Sequence, residues 1–184
     1  MDLIFLTSNE EKFREAKEIL SDFNIILRQI DLAEIQAIEG EEVVIQKAQA
    51  GFDRVGTSLI IEDTSLYINA WNQLPGALSK WFMKTVGNDG IVKMMSGFGD
   101  RSAVAETIIA YHQGEKIKTF KGVVSGTISD KPRGKNGFGW DKIFIPEGQT
   151  KTQAEMTSVE KNKISTRKIA LEQLRTYLRS INND

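Results

Sequence analysis

Cysteine is missing from the 184-residue chain, and histidine occurs only once. Without thiols there is no disulfide framework and no thiolate nucleophile, a composition that fits the reducing cytoplasm, where we expect the protein. With His112 alone inside a β run, Ser-His and Cys-His nucleophile pairs and most zinc sites are excluded, and His112 itself reads as a strand filler. Long hydrophobic runs are missing too. No stretch approaches the roughly 18 apolar residues of a membrane span, and the opening MDLIFLTSN is too short for a signal peptide. Neither charge sign is in excess: a net charge of -1 provides no basic field for nucleic acid or an anionic membrane, so neither is expected as a partner. Proline occurs three times, and no linker, repeat or low-complexity tract divides the chain. With 40% hydrophobic and 27% charged residues, positions 1–184 read as a single domain with one sizeable core.

What is present alternates between strand and helix. Residues 3–6 read as a short buried strand, and Phe13, Ala16, Ile19 and Leu20 then recur at helical spacing. NIILRQI is a second strand. Val44, Ala48, Gly51, Phe52 and Val55 mark a second amphipathic helix, and SLIIE is a third strand that ends in the acids Glu62 and Asp63. From Ala103 the run AETIIAYHQGEKIKTFKGVVSGTIS predicts two or three long β segments, with Gly114 at a hairpin turn. Ile164, Leu171, Leu174, Leu178 and Ile181 form one apolar stripe on a C-terminal helix. The fold class is therefore α/β, with a long mixed, twisted sheet flanked by helices and a cleft between the α/β part and the rest.

Elimination leaves carboxylate, hydroxyl, lysine and arginine chemistry. Hard carboxylate oxygens suit Mg²⁺, which takes one or two protein carboxylates and favours phosphate-bearing substrates, and Glu62 and Asp63 fit that role. Glu34, in the loop after the second strand, either joins them or belongs to a solvated acidic loop with Glu39, Glu41 and Glu42. TSNEEKF lies where the first strand passes into a helix, the place where α/β proteins receive phosphate; Thr7, Asn9 and Lys12 contact phosphate there, or Ser8 or Asn9 merely caps the helix. GKNGFGWDKIF sets Phe138 and Trp140 among glycines, either to stack on a flat ligand selected by Asp141 or a backbone group, or as core residues at a turn. Lys161 and Arg167 lie about 120° apart on a continuous helix and could not face one ligand; two shorter pieces, the second capped by Ser165, would bring them together. Thr157 and Glu160 form a capping-box pattern at the start of this segment.

These motifs occur in the order of one family. Through TSNEEK, IDLAE, IQKA, IEDTSL, LPGALSKWF, SGFGDRSA, NGFGWDKIF and AEMTSVEKNKISTRKIAL, the chain resembles the inosine/xanthosine triphosphate pyrophosphatases along nearly its whole length. LPGALSKWF and FGWD look closer to the eukaryotic and archaeal branch. The resemblance implies a two-lobed α/β fold, a homodimer, and Mg²⁺-dependent hydrolysis of ITP, dITP and XTP to the monophosphate and pyrophosphate. It also implies site residues. Thr7, Ser8, Asn9, Glu10, Glu11 and Lys12 match the phosphate-binding turn. Glu34 and Asp63 match the metal carboxylates, with Asp63 as proton acceptor and Thr64 as a substrate contact. Lys47 and Lys80 match phosphate-neutralising lysines. Phe138, Gly139, Trp140 and Asp141 match the base pocket, and Lys161 and Arg167 the basic substrate contacts at the last helix, with Thr166 beside them; Arg167 or a backbone N–H is the expected donor to the 6-oxo edge. On this reading Glu62 is the less critical of the two adjacent acids.

Three positions depart from that pattern. Ser8 replaces a glycine, Ser65 stands where a glycine or small residue is usual, and Thr166 replaces the histidine of a His-Arg pair. Two other functions compete with this one: a related pyrophosphatase acting on modified pyrimidine nucleotides, and a catalytically silent nucleotide-binding protein.

Overall fold

A computed structural model describes residues 2–182. The chain begins with a strand β1 (Asp2–Leu6), a helix α1 (Glu10–Ile19), a strand β2 (Asn24–Arg28), a helix α2 (Gly40–Val55) and a strand β3 (Leu59–Ile68). A short strand β4 (Pro75–Gly76) and two helices, α3 (Ser79–Thr85) and α4 (Gly87–Met94), follow. The long hairpin β5 (Ser102–Gln113) and β6 (Lys116–Ile128), a short β7 (Phe144–Pro146), and helices α5 (Ser158–Lys163) and α6 (Thr166–Asn182) complete it. One mixed sheet runs in the order β2-β1-β3-β5-β6-β7, with β4 paired beside β3. The predicted α/β class with a mixed sheet is what the structure contains.

The sheet's construction explains the sequence pattern. β1, β2 and β3 pair in parallel, whereas β3, β5 and β6 pair antiparallel. β3 and β5 are buried along nearly their whole length, so their apolar runs are continuous rather than alternating. Helices α1 and α6 cover one face through a core that includes Phe5, Ile60, Ile109, Leu171 and Leu174. Helix α2 covers the other, where Val44 and Ala48 meet Leu6, Ile61 and Ile108. Beyond these, the far ends of β3, β5 and β6 carry a separate core of Leu66, Ile68, Ile91, Met95, Ile128 and Phe144, which gives the second lobe.

Three local readings are refined. The third strand does not end at Glu62 and Asp63 but continues to Ile68, because β5 goes on pairing with it as far as Ile68 opposite Ala103. After Ala103 there are two long strands, closed by a two-residue turn in which Gly114 supplies a φ of 71°. The last helical segment is broken in two, as the two cations required. His112 is a buried strand residue stacked on Phe52 at 4.2 Å, with Nε2 3.3 Å from Gln49 Oε1.

Candidate active site

Parallel pairing between β1 and β3 stops at Leu6 opposite Ile61, and the next residues of β3 are Glu62, Asp63 and Thr64. Past the end of β1, therefore, β3 has no parallel neighbour, and a cavity of about 680 Å³ opens there. Adjacent residues of a strand face opposite sides. Glu62 follows Ile60 toward the face covered by α1 and α6, and Asp63 follows Ile61 toward α2. Two neighbouring carboxylates thus serve different surroundings.

On the α1/α6 side, Glu62 is the centre of a buried charge cluster. Arg167 donates to it through Nε (2.9 Å to Oε2) and Nη2 (3.0 Å to Oε1), and Lys12 Nζ lies 3.1 Å from Oε1. The remaining arm of Arg167, Nη1, reaches Glu15 at 2.6 Å. Burial would push the Glu62 carboxyl up, but Arg167 and Lys12 outweigh it and hold it at about 2, below its ordinary 4.5. On the α2 side, Lys47 Nζ lies 3.0 Å from Glu34 and 3.4 Å from Asp63. Burial depresses the Lys47 ammonium, yet Asp63 and Glu34 raise it overall. Burial pushes the Asp63 carboxyl up against the pull of Lys47 and Lys12, and its Oδ2 is buried with no hydrogen-bond partner. Glu34 and Asp63 together offer hard oxygens to a divalent cation.

The turn from β1 into α1 forms the cavity's floor through Thr7, Ser8 and Asn9. Thr7 Oγ1 accepts from Asn9 N–H at 3.1 Å, and Asn9 Oδ1 caps α1 by accepting from the N–H groups of Glu11 and Lys12. Ser8 keeps a negative φ, since the non-glycine residues with positive φ among those described are Asn72 and Gln73. The turn does not need the glycine that Ser8 replaces. Glu10 and Glu11 are not brought to the cavity: both are exposed, and Glu11 pairs with Arg14. They lie on the solvent side of α1's first turn, where carboxylates suit the helix dipole and stay clear of an anionic ligand.

The opposite wall is built by the turn at residues 138–142 and by the last two helices. Asp141 Oδ2 accepts from Phe138 N–H at 2.9 Å and from Lys161 Nζ at 2.7 Å. Phe138 stays 38% exposed, an unusual state for a phenylalanine, with Lys161 Nζ 5.2 Å and the Arg167 guanidinium 5.6 Å from its ring centre. Gly139 and Trp140 line the cavity beside it. The Thr157–Glu160 capping box starts α5, the chain breaks at Ile164, and Ser165 Oγ accepts from Lys168 N–H at 3.2 Å to start α6. That break lets Lys161, Thr166 and Arg167 all border the cavity. Lys12, Glu34, Lys47, Asp63, Thr64 and Lys80 border it as well.

Two features were not legible in the sequence. Glu15 reads there as an ordinary surface residue of α1, and Glu62 as the lesser of two acids; its zero side-chain exposure makes it the anchor of the cluster instead. The helical spacing of Lys12 and Glu15, one turn apart, was the available pointer to a shared face.

An α/β fold with a polyanion-sized, lysine- and carboxylate-lined cavity at the end of a parallel strand pair defines a phosphate-handling class of protein. Comparison with known proteins places it within that class. Residues 3–177 match the Ham1 family. An inosine triphosphate pyrophosphatase of Yarrowia lipolytica is 42% identical over 182 residues, covering 97% of this chain and 96% of that protein. A dITP/XTP pyrophosphatase of Saccharolobus solfataricus is 41% identical, covering 95% and 92%. Among solved structures, a HAM1 protein from Coxiella burnetii superposes with a TM-score of 0.89 at 31% identity, covering 98% of this chain and 99% of that one. The chain belongs to the Ham1 family.

The buried cluster generates a stability prediction. Glu62→Gln removes one charge from a buried network and leaves Arg167 undercompensated, and should cost about 3 kcal/mol. Because the folded pKa of Glu62 is depressed, its contribution is complete above 4.5 and is lost as pH falls toward about 2. Denaturant titrations at pH 7 and pH 3 should show a gap between wild type and variant that narrows in acid; a gap equal at both pH values would contradict this account.

Proposed function

We propose that the protein hydrolyses deaminated purine nucleoside triphosphates, ITP, dITP and XTP, to the monophosphate and pyrophosphate. The observation that carries this reading is the division of one cavity into two ends: a cluster of Asp63, Glu34, Lys47 and Lys12 on the extension of β3, and an exposed aromatic face, Phe138, on the opposite wall. The first suits a triphosphate and the second a base. The names of the relatives in Yarrowia and Saccharolobus support the same substrates.

The donor set fits a magnesium ion. Asp63 Oδ2 has no hydrogen-bond partner, and Glu34 and Asp63 already share one cation, the Lys47 ammonium. When bound, Mg²⁺ supplies Lewis-acid neutralisation of the phosphate oxygens.

The chain's own residues carry the rest. Asp63 accepts the proton of a water that attacks the α-phosphorus; the bond from that phosphorus to the bridging oxygen breaks, and pyrophosphate leaves with the electron pair. Burial makes Asp63 a stronger base than an exposed carboxylate. Lys12 and Lys47 place positive charge where negative charge develops on the phosphates, and Asn9 and Thr7 hold the turn that receives them. The purine stacks on Phe138. Arg167 has spent three N–H groups on Glu62 and Glu15, which favours a backbone N–H over Arg167 as the donor that reads the base. Recognition of the 6-oxo edge passes to Lys161 and the backbone N–H groups of Gly139 and Trp140, since those of Phe138 and Asp141 are already bonded within the turn; an adenine 6-amino group would oppose such donors.

The family resemblance further implies a homodimer, and the cysteine-free composition fits a reducing cytoplasm. In support of a dimer, Trp81 and Met94 are each 46% exposed and Val86 and Phe98 lie open nearby in sequence. No helix among the described residues is long and apolar enough to cross a membrane.

Product analysis tests the reaction. ITP with Mg²⁺ should yield IMP and pyrophosphate; IDP and phosphate would indicate a different hydrolase, and intact ITP a binding protein. Asp63→Asn should abolish turnover while the unfolding midpoint holds or rises slightly, and excess EDTA should stop the wild type until Mg²⁺ is restored.

The aromatic platform yields a separate test. Phe138→Ala should weaken ITP binding by about 1–3 kcal/mol, the scale of one base–aromatic stack, while Phe138→Trp retains it. Unchanged affinity in Phe138→Ala, measured by calorimetry, would remove Phe138 from the base site.

A further inference from the structure

Thr107 lies within β5 and is fully buried, with its hydroxyl 2.7 Å from that of Thr166, the second residue-type departure at the cavity wall. Its partner in the β5–β6 ladder is Gly122. A Cβ at Gly122 would fall 1.9 Å from the Thr166 carbonyl oxygen and 3.0 Å from the Ala170 nitrogen. The first turn of α6 therefore sits directly on the sheet at the Thr107–Gly122 pair, a backbone approach that requires glycine. The side chain of Thr107 and the backbone of Gly122 together form the seat of Thr166.

Proton accounting then gives the hydroxyl pair a direction. Each hydroxyl has one proton and two lone pairs. Thr107 Oγ1 has zero solvent exposure at the residue level and makes no other hydrogen bond among the described residues. If Thr166 donated, the Thr107 proton would be a buried donor without an acceptor, the costlier arrangement. Thr107 is accordingly the donor and Thr166 the acceptor. The proton of Thr166 has no acceptor among the described residues, and Thr166 borders the cavity.

We propose that Thr107 is a positioning residue that turns the Thr166 hydroxyl into a fixed hydrogen-bond donor toward an acceptor oxygen of the bound nucleotide. This inference rests on the nucleotide reading of the cavity. In place of an imidazole, the wall offers an alcohol whose direction is set from behind by the sheet. Because Arg167 is the next residue, the same seat also brings its guanidinium to Glu62.

The test uses the full-length protein with ITP and Mg²⁺. Thr107→Val, which keeps the volume and strand preference, should lower kcat/KM by about two- to tenfold, the scale of one neutral hydrogen bond, with an unchanged thermal unfolding midpoint. Thr107→Ser should restore kcat/KM, since the hydroxyl returns although a methyl is lost. Thr166→Val should lower it at least as far, and the double variant Thr107→Val/Thr166→Val should be no worse than Thr166→Val alone, because Thr107 acts only through Thr166. A wild-type rate in Thr107→Val, additive losses in the double variant, or a loss that tracks a lowered unfolding midpoint and is not rescued by serine would each overturn the proposal. A wild type that neither binds nor cleaves ITP would refute the nucleotide reading and this inference with it; normal ITP turnover combined with a silent Thr107→Val refutes this inference alone.

Discussion

The pairing of Arg167 with Glu62 is the interaction on which the cavity depends. The two residues are 105 positions apart, and their contact ties the first turn of the last helix to the middle of the third strand. Lys12 and Glu15 from α1 complete the group, so two positive and two negative charges balance in a nearly dry space. Desolvating four charges is expensive, and such a cluster persists only where the geometry supplies several charge-assisted hydrogen bonds at once. Here the bidentate fork of Arg167 provides them. The result is a wall of paired charges beside the cavity, tied together by the protein's own hydrogen bonds.

The second constraint is the unequal length of the sheet's pairings. β3 loses its parallel neighbour at Ile61 yet keeps its antiparallel neighbour β5 to Ile68, which leaves a supported stretch, from Glu62 to the point where β4 pairs at Leu66, with one edge open. Polar residues can stand there without weakening the core, because one side of the strand is braced and the other meets the cavity. Strand alternation then separates Glu62, which is structural, from Asp63, whose Oδ2 remains available. A carboxylate answers to its strand face before it answers to its neighbour in sequence.

Much of this was readable from residue order. The strand–helix alternation of the first third, the Gly114 hairpin, the Thr157 capping box and the break that joins Lys161 to Arg167 each follow from local patterns: apolar spacing, turn chemistry and cap residues. Where local rules misled, a distant partner was responsible. The third strand ran five residues beyond Asp63 because β5 offers a ladder there. Glu15 and Thr107 carry no local mark, and their roles appear only when α6 is laid against α1 and the sheet.

The sequence alone determined the kinds of chemistry open to this protein, since a chain with one histidine and no cysteine is restricted to carboxylates, hydroxyls and fixed cations, and its motifs set those groups at strand and helix ends. Tertiary structure decided how they are divided: which acid is neutralised by Arg167 and which is left with a free oxygen, and which hydroxyl faces the cavity. The physical reason is that charge state and hydrogen-bond direction depend on burial and on partners brought together by the fold, and in the Arg167 cluster those partners lie 105 and 152 residues away.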